Sequence, residues 1–309
     1  QTTADTIQGH LNNGVSVVVE SSGELRTETG VTIAKTSGGD ATLTFKSALH
    51  IYLLANLQIS SVTGKLNLVF WSNTNGTGGI VRFGHNTPLA DIVVKTNGGH
   101  IWVGGGSGNA TWNGLSVGNS YALGGIAASG GIPWWGLEIY ANTQIFTDGG
   151  HVSINGASQS QSTTVGVRLV NSLINSGSGN IDVKTDVTGV TGSSTDAFGL
   201  WIEGDGGFSS TSGNITFNNV IKGNAAISRG LLLQRTTNGF PVIASTQGNV
   251  SMTNDLSTAT SASKWYIDID ELILTREKAQ AATNFTEDLP AILSGSTSTY
   301  SSSATSVAT

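Results

Sequence analysis

Apolar side chains along this chain fall on alternate positions in short runs, the period-2 pattern of strands with one buried face. Helix spacing is nearly missing. One phrase recurs: a glycine, a polar residue, then apolar–polar–apolar. It reads Gly64-Lys-Leu-Asn-Leu68, Gly99-His-Ile-Trp-Val103, Gly150-His-Val-Ser-Ile154, Gly179-Asn-Ile-Asp-Val183, Gly213-Asn-Ile-Thr-Phe217 and Gly248-Asn-Val-Ser-Met252, with a variant at Gly39-Asp-Ala-Thr-Leu-Thr-Phe45. Successive glycines lie 25, 35, 51, 29, 34 and 35 residues apart. A second phrase interleaves with the first: Gly136-Leu-Glu-Ile139, Gly166-Val-Arg-Leu169, Gly199-Leu-Trp-Ile202 and Gly230-Leu-Leu-Leu233, at spacings of 30, 33 and 31. Two independent markers in step near thirty residues define a structural repeat.

Short strands repeating at that length predict a solenoid whose every repeat is one lap of about three strands. The glycine and asparagine ahead of each strand read as the positive-φ turn that redirects the chain. Stacked laps put like residues in columns: Leu66, Ile101, Val152, Ile181, Ile215, Val250, and Leu68, Val103, Ile154, Val183, Phe217, Met252. Both are wholly apolar, as a core shared between laps requires. A β-sandwich or jelly roll also alternates short strands, but without a phase-locked glycine phrase. The expected fold is all-β: a right-handed parallel β-helix (solenoid) with a Gly-rich loop insertion.

Its boundaries follow from the same pattern. The β-helix is expected over residues 1–275, with repeats over roughly 5–260 and a further strand or two in Lys264–Thr275. An insertion at about 104–135 accounts for the 51-residue gap, and its glycines (Gly104-Gly-Gly106, Gly124-Gly125, Gly130-Gly131) suit a loop projecting from the shaft. Residues 276–309 are expected to hold a short helical or irregular segment, the helical stretch near Thr275–Thr283, and a Ser/Thr-rich tail.

Composition narrows the partners. Charged residues form 11% of the chain, against about 25% in an average protein. The 14 cations and 20 acids leave a net charge of −6, too few cations to neutralise a run of phosphates, so no nucleic-acid partner is expected. Cysteine is absent, which excludes disulfide frameworks and thiolate metal sites. No apolar run approaches the roughly 18 residues that cross a bilayer, and no membrane insertion is expected. A chain that opens at Gln1 without a signal-peptide pattern is expected to be a mature or excised segment.

Four stretches carry a family resemblance: Asn12-Asn-Gly-Val-Ser-Val-Val-Val19, Thr36-Ser-Gly-Gly-Asp-Ala-Thr-Leu-Thr-Phe45, Ser61-Val-Thr-Gly-Lys-Leu-Asn-Leu68 and Thr96-Asn-Gly-Gly-His-Ile-Trp-Val-Gly-Gly-Gly106. They resemble the repeats of filamentous-haemagglutinin-type exoproteins over roughly residues 5–255. The resemblance implies a large bacterial surface or secreted adhesin on a right-handed β-helix, exported by two-partner secretion through an outer-membrane pore. It is one of repeat texture, specific to fold and lifestyle rather than ligand. The Asn-Pro-Asn-type signature of that family's export domain is missing, which points to an internal or receptor-facing segment, or to another export route.

In the second register, residues two and four after the glycine face outward: Glu138, Arg168, Trp201, Leu232, and Tyr140, Val170, Glu203, Gln234. Stacking would set Glu138 beside Arg168 as a charge pair, and Arg168 beside Trp201 for a cation–π contact of about 0.5–1 kcal/mol. With Trp134, Trp135 and Asp205 nearby, these residues form a candidate sugar-binding patch. Aromatic faces would stack on apolar sugar faces, while Glu203, Asp205 and Gln234 meet hydroxyls. The competing reading has Trp134 and Trp135 packing the insertion onto the shaft.

Other chemistry is thin. Pectate-lyase-like and polygalacturonase-like enzymes share this fold, but their sites need clustered carboxylates. Asp268 with Asp270, Glu203 with Asp205, and Asp182 with Asp186 read as solvated strand faces. His100 and His151 occupy the slot held elsewhere by Asn180, Asn214 and Asn249, which suits turn-filling better than metal binding. Neither a metal nor a cofactor is expected.

The sequence therefore predicts a non-catalytic adhesin segment at the bacterial cell surface or outside the cell, part of a longer chain or filament, contacting a polysaccharide, glycan or other surface polymer. The alternatives are a purely structural shaft or surface-layer component, and a polysaccharide lyase or hydrolase.

Overall fold

The computed structural model describes residues 2–84, 91–125, 135–140, 142–160, 163–189, 196–236, 239–261, 263–269, 293–294 and 297–302, which form a parallel β-helix. One lap is Ile181–Gly189, Asp196–Glu203 and Gly206–Ser210, one strand in each of three sheets. Among the described residues the first sheet runs through nine stacked strands, from Val17–Ser21 to Thr297–Ser302. The second and third run through eight each, Leu25–Arg26 to Ser263–Ile269 and Thr32–Lys35 to Leu293–Ser294. Strands Leu293–Ser294 and Thr297–Ser302 stack on the last lap, in a stretch that composition assigned to an irregular tail. The helix expected at Thr275–Thr283 lies outside the described residues.

The columns are real. Ile101, Val152, Ile181, Ile215 and Val250 stand in direct register, beside Val103, Ile154, Val183, Phe217 and Met252. All are at most 2% exposed, and each such burial stabilises by about 1.5–3 kcal/mol. One join differs from expectation. Ile101 pairs with Leu68 and Val103 with Phe70, while Leu66 sits over Ala41. The lap is offset by two residues, a slip that keeps every side chain on its own face and so leaves no trace in the alternation. There Phe70 stacks on Phe45 at 5.4 Å and meets Phe83 edge-on at 5.2 Å.

The marker glycine acts through its size rather than its φ. A Cβ on Gly150, Gly179, Gly213 or Gly248 would overlap the carbonyl oxygen of the marker glycine one lap earlier. None of the four has a positive φ, which corrects the turn role read from the sequence at these laps; Gly64 does keep that role, at 67°, and elsewhere left-handed residues come just before the marker, at Asn97, Gly98, Asp148, Gly149 and Gly177. Three residues ahead of each marker stands a buried hydroxyl: Ser61, Thr96, Thr147, Ser176, Ser210, Ser245. These hydroxyls donate to turn carbonyls, Thr96 to Gly99 at 2.6 Å, Ser210 to Gly177 at 2.8 Å and Ser245 to Gly213 at 2.8 Å. The full repeat is therefore Ser/Thr-x-x-Gly-polar-apolar-x-apolar.

The polar slot after the marker is a ladder. His100 Nδ1 accepts the His151 N–H, His151 Nδ1 the Asn180 N–H, Asn180 Oδ1 the Asn214 N–H and Asn214 Oδ1 the Asn249 N–H, each at 2.9 Å. The two imidazoles stack at 5.1 Å. Burial, then His151 and Lys65, push His100 below the usual histidine value. Burial likewise lowers His50, against the pull of Glu24; its Nδ1 accepts the Ile80 N–H at 3.1 Å. A lowered folded value means the unfolded chain binds the proton more readily. The stability these histidines contribute is complete above the unfolded value of about 6.5 and is lost as pH falls through the folded one. The melting temperature should thus fall between about pH 7.5 and about pH 5, and fall less in His100→Asn, which keeps the acceptor without titrating. Equal pH slopes for the two proteins would remove His100 from the account.

The laps are sealed at one end by a helix the sequence reading did not anticipate, Ala4–Leu11. Thr3 caps it, accepting from Thr6 N at 3.3 Å, and Ile7 and Leu11, one turn apart, are buried against the core. Gln8 Oε1 accepts the Ala34 N–H at 2.8 Å and Asn12 Oδ1 the Thr36 N–H at 2.7 Å. The helix so covers apolar side chains and satisfies edge amides together, as a solenoid end requires.

The Gly-rich insertion is not a projecting loop over its described part. Ile101–Trp112 and Leu115–Ser120 form an antiparallel hairpin. It turns at Asn113-Gly114, with φ of 46° and 77°, the doubly left-handed turn that matches strand twist. The hairpin lies back over the first sheet: Leu115 and Val117 pack on Val69, Trp71 and Trp102, and Trp71 Nε1 donates to the Gly106 carbonyl at 2.7 Å. In the later laps the first sheet overruns its corner, and Val187, Ala197, Ile221, Ala225, Leu256 and Ala259 form a second small core. A buried ladder, Thr185 to Asn219 at 2.9 Å and Asn219 to Asn254 at 2.8 Å, separates it from the first. Gly199 faces this ladder, its absent Cβ 2.9 Å from that of Asn219. The second glycine phrase marks this pinch.

Candidate functional site

On the outer face of the second sheet, parallel register sets one residue per lap in a line: Tyr52, Arg82, Glu138, Arg168, Trp201, Leu232, Asp268. Their neighbours Leu137, Val167, Leu200 and Leu231 point inward and are fully buried. Glu138, 1% exposed, lies with Oε2 2.5 Å from Arg82 Nε and accepts from Arg168 Nη1 at 3.0 Å. Arg168 Nη2 donates to Glu203 Oε2 at 2.6 Å. The Arg168 guanidinium stacks over Trp201 at 4.5 Å and Trp135 at 5.4 Å, and that of Arg82 over Trp135 at 5.7 Å and Tyr140 at 5.9 Å. Trp201 Nε1 donates to Gln234 Oε1 at 3.0 Å, and Phe198 flanks its ring at 5.1 Å. Arg229 extends the network to Asp196 at 2.9 Å and Asp268 at 2.5 Å.

Burial pushes the Glu138 carboxyl above its ordinary range, against the pull of Arg82 and Arg168. The cost of desolvating such a group rivals its attraction to its partners. The stack therefore does more to fix where guanidinium and indole planes sit than to stabilise the fold. Trp135, Tyr140, Trp201, Glu203 and Gln234 are half-buried, so part of each reaches solvent. Among the described residues no group of three histidine or acidic side chains is placed to hold a metal.

Seven of the nine residues singled out from the sequence meet here: Trp135, Glu138, Tyr140, Arg168, Trp201, Glu203 and Gln234. Trp134 lies outside the described residues. Asp205 is exposed at the strand end, where its N–H donates to Asn171 Oδ1 at 3.0 Å. The sequence reading missed Arg82, Phe198 and Arg229. Arg82 had a signal: Val81-Arg-Phe83 repeats the apolar–Arg–apolar of Val167-Arg-Leu169, without the leading glycine. Set against known proteins, the chain matches no family model, no curated protein and no solved structure.

Proposed function

We propose that this chain is a non-catalytic segment of an adhesin of the filamentous-haemagglutinin type, displayed on a bacterial surface or secreted. In this reading it is a stiff shaft that contacts a polysaccharide, host glycan or other surface polymer along its Trp135–Trp201 ridge. The ridge carries the reading: half-exposed aromatic rings are held in line by arginines, with Glu203 and Gln234 alongside. Sugar recognition uses this combination of apolar ring and adjacent polar groups. The acids of the same face, Glu138, Asp196, Glu203 and Asp268, are engaged by arginines, which favours binding over acid–base work.

A second reading, a purely structural shaft, is favoured by one observation: Arg168 already covers a face of Trp201, whose N–H is already bonded to Gln234. Retention of the purified chain on a panel of insoluble polysaccharides and intact cells separates the two. The adhesive reading expects retention that Trp135→Ala and Trp201→Ala together reduce at least tenfold; no retention on any surface leaves the shaft. Reducing-sugar release from the same panel would instead point to a lyase or hydrolase.

A further inference from the structure

The hairpin that straps the first sheet leaves a groove beside it, on a different face from the Arg–Trp ridge. As the chain returns from the hairpin, strand Ala122–Gly124 joins the first sheet beside Val152–Ser160, which sets Leu123 next to Ala157 in the floor on the outer face of that sheet; Ser120 and Tyr121, just before it, complete the lining. The groove encloses about 250 Å³, a little below the 300–1,000 Å³ typical of drug-sized ligands and suited to one small ring at a time. Its floor comes from three successive laps in register, Ala157 beside Asp186 and Gln159 beside Thr188 beside Lys222. It therefore runs along the solenoid axis, across the strands, the direction in which an extended linear molecule can touch several laps at once.

The lining selects the ligand's chemistry. Asp186 and Lys222 pair at 2.8 Å, so the groove carries both signs and no net charge. One carboxylate is too few for a divalent cation, and the one ammonium is already matched, so neither a metal nor an anionic polymer fits well. Leu123 and Ala157 give an apolar patch too small for a protein segment among so many polar groups. What remains is an uncharged, hydroxyl-rich molecule: Asp186 accepts, Lys222 and Gln159 donate, and Tyr121 offers a ring and a hydroxyl. Burial, with Asp186 adding to it against Lys222, holds the Tyr121 hydroxyl above its ordinary value, so it stays a donor.

We propose that the groove on the outer face of the first sheet, beside Tyr121, is a binding site for a neutral saccharide chain lying along the solenoid axis. It needs neither export nor the aromatic ridge, so it stands or falls apart from the adhesive reading. The test is calorimetric titration of the whole chain with soluble neutral oligosaccharides (gluco-, xylo-, manno-, galacto- and N-acetylglucosamine series) and with anionic uronate oligomers. At least one neutral series should bind. Asp186→Asn and Tyr121→Ala should weaken it tenfold or more, and Gln159→Trp, which fills the groove from an exposed position and touches none of the paired groups, should abolish it. Val62→Ser, at an exposed position outside both the groove and the ridge, should leave it unchanged. No binding in any neutral series, binding of uronates alone, or binding that Gln159→Trp and Asp186→Asn leave intact would overturn the proposal. Unaltered melting of Asp186→Asn and Gln159→Trp keeps the result readable even if Tyr121→Ala folds poorly.

Discussion

Gly213→Ala should destabilise the protein by about 3 kcal/mol, a large loss for a single methyl group. The new Cβ would overlap the Gly179 carbonyl oxygen, a backbone atom with no rotamer to escape through. Relief requires the two laps to separate. Ile181 over Ile215 and Val183 over Phe217 are stacked at that junction, so separation unpacks the core columns. It also displaces the Gly213 carbonyl, which accepts the Ser245 hydroxyl at 2.8 Å. Because each lap contacts only its neighbours, the damage should divide the cooperative unit rather than merely lower its midpoint. Urea unfolding should show a lowered midpoint and a broadened or two-step transition. Gly23→Ala is the control: its Cβ meets nothing within 4 Å and its φ is not left-handed, so it should stay within about 0.5 kcal/mol of the parent. A loss below about 1 kcal/mol in Gly213→Ala would mean that the glycine column does not set the lap spacing.

The same glycines show what the sequence could and could not reveal. Their spacing disclosed the laps, and with them the Ile181–Ile215 column and the Glu138–Arg168–Trp201 line, because a parallel stack converts equal offsets into contacts. Their mechanism was hidden, since a turn glycine and a close-approach glycine look alike in one dimension. The two-residue slip at Leu68 and Ile101 was also invisible, because alternation has no memory of even shifts. The hairpin was legible and overlooked: Trp112-Asn-Gly-Leu115 is an Asn-Gly turn between alternating apolar residues, outweighed in the reading by the glycines around it. Phe198 and Arg229 were beyond reach. They join the ridge because the second sheet's strands extend past the pinch at Gly199, a feature of the cross-section and not of the repeat.

The first described lap, against which the Ala4–Leu11 helix packs, differs in its chemistry from the laps that follow. In the third sheet the buried hydroxyl column, Ser61, Thr96, Thr147, Ser176, Ser210 and Ser245, stops one lap short. Lys35, which pairs with Ser61, takes the place of the next hydroxyl. An ammonium on a four-carbon stem reaches carbonyls in two turns at once. The Lys35 side chain is fully buried and its Nζ donates to the carbonyls of Ser37 at 2.9 Å, Gly38 at 3.1 Å and Thr63. It thereby ties the turn of the first lap to that of the second.

Lys35→Met keeps the stem and removes the donors, taking this partner from the Ser37 and Gly38 carbonyls, while that of Thr63 keeps the Ser61 hydroxyl at 3.3 Å. At about 1–3 kcal/mol for each buried group left unsatisfied, and with water able to reach some of these part-buried turns, the net loss should be about 3 kcal/mol. The effect should be local as well as large. Amide exchange should quicken through residues 12–64, where Asn12 and the helix also hold the turn, and change little beyond the hairpin. Lys95→Met, at an exposed position in the same sheet, should alter neither stability nor exchange by a comparable amount. Uniform acceleration along the whole chain would show instead that the first laps are not a separable unit. A loss under about 1 kcal/mol would show that solvent, rather than the ammonium, satisfies those carbonyls.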